Sequence, residues 1–309
     1  MDSHDLGDAL PKLPPKQIPW LRPVDLLALG FVAALLALSL GALSKGIAGA
    51  GPAALRLCWS IGILLALRSL GRRYEGPFAA LLATVAPIAL VPVDWALNPI
   101  CDFVNPRLRD SALLAADRFL FGETPGVALQ HLLSPLLTEA LLIGYLSYFG
   151  LLLAPIVLLW LRRDETGVDR YVRLLVVLFV TNLTFYLLVP AVGPRFTVPG
   201  AFAAPLHGVF LGDWIHGLFL DTPFFRDCFP SGHTAGTLLA LVFCFRRLRG
   251  WFFTALPLSV LCVSATVLCR YHYGVDLLCA LPLAGWAWAA SGALPSAFAG
   301  AEQPEEARS

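Results

Sequence analysis

Along the chain, long runs without charge alternate with short polar clusters. The charge-free runs cover 26–44, 76–93, 140–161, 174–194, 228–245, 250–269 and 277–301. Most approach or exceed the roughly 20 residues a helix needs to cross a bilayer. An eighth run, 51–70, carries Arg56 one turn inside its start. A guanidinium there can snorkel to the headgroups, so the run still reads as a span. The stretch 196–220 is also apolar, but Pro199, Gly200, Pro205, Gly208, Gly212 and Gly217 interrupt it. It reads as an ordered loop or re-entrant segment. The pattern predicts an all-α integral membrane protein with about eight transmembrane helices. It divides into a flexible cytoplasmic lead (1–23), N-terminal transmembrane helices (24–95), an outer loop with interfacial helices (96–134), a transmembrane core (135–294) and a polar C-terminal tail (295–309).

The polar clusters orient the spans. Lys12, Lys16 and Arg22, then Arg68, Arg72 and Arg73, then Arg162, Arg163, Arg170 and Arg173, then Arg246, Arg247 and Arg249 form tight groups at alternate turns. Cationic turns mark the cytoplasmic side. The other side receives Lys45, Arg56, Arg107, Arg109, Arg118, Arg195, Arg226 and Arg270, scattered and often beside acids. Both termini then lie in the cytoplasm, and a plasma (inner) membrane is the expected location. Trp20, Trp95, Trp160 and Trp251 fall near span ends, as an aromatic belt requires. The proline-rich lead has no apolar core and does not resemble a cleavable signal.

Composition narrows the class further. Of 309 residues, 58% are hydrophobic and 14% charged, and the mean hydropathy is +0.73. These values exclude a disordered chain, a coiled coil and a disulfide scaffold, and argue against a soluble enzyme. A formal charge of +1 gives no basic excess with which to bind nucleic acid. Of the seven cysteines, Cys101 and Cys228 fall in predicted outer loops. A disulfide between them is an open expectation that spacing alone cannot decide.

Two polar knots remain once the spans are removed. One is Cys228-Phe229-Pro230-Ser231-Gly232-His233-Thr234; the other is Arg270-Tyr271-His272-Tyr273-Gly274-Val275-Asp276. The charge-based topology puts both on the outer face. His272 and Asp276 are four apart, on one face if the last span begins near His272. Asp276 can then accept the Nδ1 proton and leave Nε2 as a nucleophile or base. Ser231 can cap the helix that follows, with its hydroxyl where an anion would sit. Gly232 lets backbone N–H groups approach phosphate, aided by the helix N-terminus. His233 is placed to hand a proton to a leaving oxygen. Arg195 lies just past the fifth span on the same face, a forked cation suited to phosphate oxygens. Each motif alone also suits a bland role: a capped helix start, a solvated helix end, an interfacial arginine.

Pro230-Ser231-Gly232-His233 followed by His272 and Asp276 resembles the type 2 phosphatidic acid phosphatase superfamily. Thr266 with His272-Tyr273 and Asp276, Gly193-Pro194-Arg195, and Asp117-Arg118 with Phe121-Gly122 are similar to its inositolphosphotransferase branch, which includes fungal inositol phosphorylceramide synthase. The resemblance implies a helical bundle of that superfamily's kind over about residues 95 to 290. It implies that His272 attacks phosphorus and forms a phosphohistidine, that Asp276 orients it, and that His233 protonates the leaving group. Arg195, Ser231 and Gly232 would bind the phosphate. No metal or other cofactor is implied, and no carboxylate cluster suggests one. The common form of the family's motifs has a lysine where Leu188 stands, a proline where Phe196 stands and an arginine where Thr266 stands. Arg270 could compensate for the last if the backbone is irregular. These departures fit the phosphotransferase branch better than the phosphatases.

Glu139, at the start of the fourth span, is an accessory candidate, because an ionisable group at membrane depth is usually functional; the alternative is an interfacial place beside His131 or Tyr145. Asp94, Asp102, Arg107, Arg109, Asp110, Asp117 and Arg118 balance in sign and read as a solvated or mutually paired loop. His207, Asp213 and His216 read as loop residues near a substrate mouth. The leading expectation is an enzyme moving a phosphoryl-linked group on a lipid at the outer leaflet, with the lipid and an alcohol acceptor as its partners. The competing one is a lipid-binding or transport protein that keeps the fold without chemistry. A transporter should place paired charges or broken helices near the midplane. Here the polar groups gather at one face.

Overall fold

The computed structural model describes residues 20–74, 76–210, 212, 214 and 225–296. Most of the expected lead, the end of the C-terminal tail, Asp213 and His216 lie outside the described residues. Among the described residues there are helices and turns and no strand. The chain runs through α1 (Pro23–Ser44), α2 (Ala50–Arg73), α3 (Pro77–Val85), α4 (Leu97–Val104), α5 (Asp110–Phe121), α6 (Pro135–Leu146), α7 (Tyr148–Leu161), α8 (Glu165–Leu188), α9 (Gly232–Arg247), α10 (Arg249–Leu268) and α11 (Gly274–Ala293).

Every apolar run expected to span is helical, but not every one is a single helix. Among the described residues, α1, α2, α8, α10 and α11 are each long and apolar enough to cross a membrane. The run at 76–93 becomes the short α3 and a 3-10 segment, Ala86–Ala96. Pro87 and Pro92 fall in that segment and remove two backbone donors, so an α-helical ladder cannot continue through it. The run at 140–161 is two helices, α6 and α7, bent by 44° and able to count as one broken span. The run at 228–245 begins with irregular backbone through Pro230, and its helix, α9, starts at Gly232 and has 16 residues. Against an expectation of about eight transmembrane helices, five, or six with the bent pair, meet the length and apolarity needed among the described residues.

α8 is the central post. It packs against α1, α3, α4, α7, α9 and α11. Its buried residues include Val172, Leu175, Val176 and Leu178. At one end of the bundle some of the arginines that cluster at the turns read as cytoplasmic are interior. Arg22 and Arg68 are 1% exposed and Arg173 is 4% exposed. Arg22 pairs with Asp25 at 3.0 Å and with Asp169 at 2.8 Å; Arg68 pairs with Asp25 at 3.4 Å; Arg173 pairs with Asp169 at 3.1 Å. The guanidiniums also donate to the carbonyls of Ala83, Thr84 and Leu294. Thr84 lies at the end of α3 and its neighbour enters the 3-10 segment, so this network ties α1 and α2 to the broken span and to α8 and α11. A buried charge persists only when paired and hydrogen-bonded in this way.

Candidate active site

The two polar knots meet at the opposite end of the bundle. His272 lies just before α11 rather than on it, with Tyr273 as the N-cap. Asp276 is the third residue of the helix and accepts the Tyr273 N–H at 2.9 Å, which closes the cap. The same carboxylate oxygen stands 3.2 Å from Nδ1 of His272. The carbonyl oxygen of Cys228 is nearer to Nδ1, at 2.7 Å. A carbonyl can only accept, so Nδ1 carries the proton and the lone pair is left on Nε2. His272 is held in place further by its backbone N–H, which donates to the Thr266 carbonyl at 2.7 Å. Thr266 thus supports the loop, while its hydroxyl is spent on the Val263 carbonyl.

A cavity of about 200 Å³ opens beside these groups and is lined by His233, His272, Arg195, Asp227, Tyr145 and Tyr148, among others. The rings of His233 and His272 are 6.3 Å apart between centroids. His233 is sandwiched by Tyr145, stacked at 4.2 Å, and Tyr148, tilted at 4.2 Å. These two tyrosines flank the break between α6 and α7, so the bend puts both rings on one imidazole. The Arg195 guanidinium lies over the rings of Phe196 and Tyr271 at 4.4 and 5.0 Å. Its Nη1 is buried with no hydrogen-bond partner among the described residues. A buried donor in that condition is costly unless a ligand supplies an acceptor.

Several expected roles change. Ser231 is fully buried, and its Oγ accepts from the Thr234 N–H at 3.2 Å and the Thr234 hydroxyl at 3.0 Å. It is an N-cap, and it does not line the cavity. Gly232 does line it, but for a different reason than close phosphate approach. A Cβ there would meet Asn182 Oδ1 at 2.3 Å and the Tyr186 hydroxyl at 2.8 Å. Gly232 thus lets α9 press against α8. Arg270 turns away: its guanidinium donates to the Ala204 carbonyl and covers the Phe202 ring at 4.1 Å. Glu139 is buried and lies outside the cavity lining; its Oε2 accepts from the backbone N–H groups of Val209, Phe210 and Gly212 and holds that loop. His207 is not part of the lining. Cys101 and Cys228 are free thiols and form no disulfide.

Three carboxylates have roles that the sequence reading missed: Asp110 and Asp117, read as part of a solvated or mutually paired loop, and Asp227, which it did not single out. Asp110, on α5, accepts from the N–H groups of Val192 and Gly193 at 3.0 and 2.9 Å and from the Tyr273 hydroxyl at 3.0 Å. It therefore ties the loop that carries Arg195 to the loop that carries His272. Gly193 in that loop has φ +88° and would place a Cβ 2.4 Å from the Tyr271 carbonyl, so only glycine fits. Asp117 accepts from the N–H groups of Gly274 and Val275 and caps α11. Both are buried, not solvated. Asp227 lines the cavity itself. Burial pushes its carboxyl above the ordinary value, while His272 and Arg195 pull it back down. The signals for Asp110 and Asp117 were present only as acids lying among arginines, which gave no hint of backbone partners about 80 and 157 residues away.

The PAP2 superfamily profile matches residues 111–290. This chain belongs to the PAP2 superfamily. Comparison with curated proteins and with solved structures finds no match. The matched region of this PAP2 protein runs from α5 to α11 and contains Arg195, Asp227, His233, His272 and Asp276, while Asp110 stands one residue before it. Membership points to a phosphatase or phosphotransferase. The helices before α5 precede the matched region, and the ion pair between Arg22 and Asp169 ties them to α8 within it.

Proposed function

We propose that this PAP2 protein is a membrane lipid phosphoryl-transfer enzyme working through a phosphohistidine on His272. The observation that carries the reading is the shared cavity of His272, His233 and Arg195, with Nδ1 of His272 already committed to the Cys228 carbonyl. In this mechanism Nε2 of His272 attacks phosphorus. An N–P bond forms as the P–O bond to the leaving group breaks, and His233 supplies the proton that the leaving oxygen takes up. The positive charge that develops on His272 is met by Asp276 and by the Cys228 carbonyl. His233 then removes a proton from water or an alcohol, whose oxygen attacks phosphorus and releases His272. Arg195 holds the non-bridging oxygens through both steps, offering the donor it otherwise leaves unused.

The charge of the cavity favours transfer over hydrolysis. A phosphate monoester carries about −1.5 to −2 at neutral pH. Arg195 is the cation in the described lining, and Asp227 is a carboxylate beside it. A phosphodiester, with one negative charge, suits this balance better. Asp227 can also accept from hydroxyls of a headgroup or acceptor alcohol. These features, with Leu188 and Thr266 at the positions that carry cations in the common motif, support the inositolphosphotransferase branch. The reading puts the reaction at the outer face of a plasma (inner) membrane, with the lipid tails between the apolar helices; the clustering of arginines at alternate turns supports that orientation.

The test uses the full chain in bilayers, given phosphatidic acid or phosphatidylinositol with and without a polyol or lipid alcohol. A labelled headgroup on a second lipid, lost in His272→Ala, is the expected result. Inorganic phosphate as the sole His272-dependent product makes it a phosphatase. No His272-dependent product from any lipid overturns the enzymatic reading in favour of a binding or transport protein.

A further inference from the structure

The groups that hold His272 have a second property. Cys228 Sγ, His272 Nδ1 and Asp276 Oδ2 form a triangle with sides of 3.0, 3.2 and 3.7 Å. All three residues are buried, and their ligand atoms lie within 4.8 Å of one another. One thiol, one imidazole and one carboxylate are the ligand types that zinc takes. Tetrahedral zinc with its usual bond lengths separates sulfur, nitrogen and oxygen ligands by about 3.3–3.6 Å. The observed triangle differs from that by about 0.5 Å or less. The second carboxylate oxygen of Asp276, Oδ1, is buried with no hydrogen-bond partner among the described residues. That orphaned acceptor is an observation separate from the triangle, and a cation would satisfy it.

We propose that Cys228, His272 and Asp276 form a binding site for a soft divalent cation, Zn²⁺ or Cd²⁺, and that the bound ion switches the enzyme off. The inhibitory half rests on the phosphohistidine reading; the binding half does not. The chemistry is balanced as follows. The Cys228 thiol loses its proton to solvent and binds as thiolate. Asp276 binds as carboxylate. The ring's single N–H proton leaves Nδ1, which binds the ion through its lone pair, and Nε2 takes up one proton from solvent, so the ring stays neutral. The tautomer is thereby reversed. The lone pair that would attack phosphorus is gone, and the ion holds the ring in that state. The 2+ charge is matched by thiolate and carboxylate, so the occupied site is neutral. The ion reaches it through the cavity, which both Cys228 and His272 line and where Asp227 offers a carboxylate on the way. Hard oxygen-seeking cations such as Mg²⁺ have no reason to bind a thiol and an imidazole.

Equilibrium binding decides the first half. Cd²⁺ is titrated into the full chain in detergent after removal of bound metal, with the cadmium–thiolate absorption band and dialysis stoichiometry as readouts. One tightly bound ion per chain with that band is expected for the wild-type protein. Cys228→Ser should lose the band and weaken binding at least about 100-fold, and Asp276→Asn should weaken it about 10-fold or more. Thermal melts of both variants show that they fold. Absence of the band in wild-type protein, or its survival in Cys228→Ser, overturns the site; Cys58 is exposed and would then be the ligand to examine. Turnover decides the second half. Zn²⁺ at the concentration that fills the site should abolish His272-dependent product, and Mg²⁺ should not. Full activity with the site filled overturns the switch. A wild-type protein with no His272-dependent turnover refutes the proposed function and the switch, while the binding result still stands or falls alone.

Discussion

Asp110 is the residue on which alignment of the site depends most, and its removal gives a graded prediction. The carboxylate serves two backbone N–H groups, of Val192 and Gly193, and the hydroxyl of Tyr273. In Asp110→Ala the two backbone donors lose their acceptor in a region where Asp110 itself is 5% exposed, while the Tyr273 hydroxyl keeps Thr197 as its partner. Each buried orphan costs about 1–3 kcal/mol, so the sum is about 2–5 kcal/mol once partial exposure of Val192 is allowed for. That is a large fraction of a typical folding stability of about 5–15 kcal/mol. Asp110→Asn keeps one acceptor oxygen and the shape, and should lose about 1–3 kcal/mol. The functional effect follows from geometry. Asp110 ties the Arg195 loop to the His272 loop, so a shift between them misplaces the cation from the nucleophile. A 10- to 100-fold fall in kcat for Asp110→Asn, about 1.4–2.7 kcal/mol of barrier, is the expected size. Thermal melts in detergent and headgroup-transfer kinetics measure both. Asp110→Asn with unchanged melting temperature and unchanged kcat would refute the bracing role and return Asp110 to a solvated loop.

Other perturbations separate the parts of the account. Gly232→Ala places a methyl 2.3 Å from Asn182 Oδ1, so α9 must move away from α8; a stability loss of about 1–3 kcal/mol and at least a tenfold fall in kcat are expected from melts and kinetics. Asp169→Ala strips Arg22 and Arg173 of a shared partner at the far end of the bundle and should cost about 3–5 kcal/mol of stability while kcat of the surviving folded protein stays within about twofold. Burial raises the Asp227 carboxyl above its ordinary value, so folding disfavours the ionised form relative to the unfolded chain. Its contribution to stability is present below the unfolded value near pH 4 and is lost as pH rises through the folded value. Asp227→Asn should therefore melt above wild type at neutral pH, with the gap closing toward pH 4. A neutral-pH melt below wild type would contradict the cost assigned to that carboxylate.

Periodicity and charge were enough to place every helix that carries a motif, because a bilayer demands long apolar runs and leaves the polar residues conspicuous. The convergence of residues near 195, 230 and 272 followed from the turns alone. What the linear pattern concealed were partners distant in sequence. Arg22, Arg68 and Arg173 read only as members of cationic turns, and they are interior because Asp25 and Asp169 stand beside them in space. Asp110 and Asp117 looked like surface acids, since their acceptors' work is with backbone N–H groups that carry no sequence signature. Ser231 caps α9, as its place before the helix suggested, while Gly232, read for phosphate approach, makes room for Asn182, a partner 50 residues away in sequence. The breaks in two spans were written in Pro87, Pro92 and the Ser147 hinge, but apolar content masked them.

The most direct test of the central claim is to look for the covalent intermediate. Full-length protein in bilayers is mixed with phosphatidic acid or phosphatidylinositol, quenched rapidly, and mapped by peptide mass spectrometry under conditions that preserve N–P bonds. The account predicts an acid-labile phosphoryl or phosphoryl-headgroup adduct on His272, absent in His272→Ala. An adduct on any other residue, or turnover that survives the loss of His272, would contradict it.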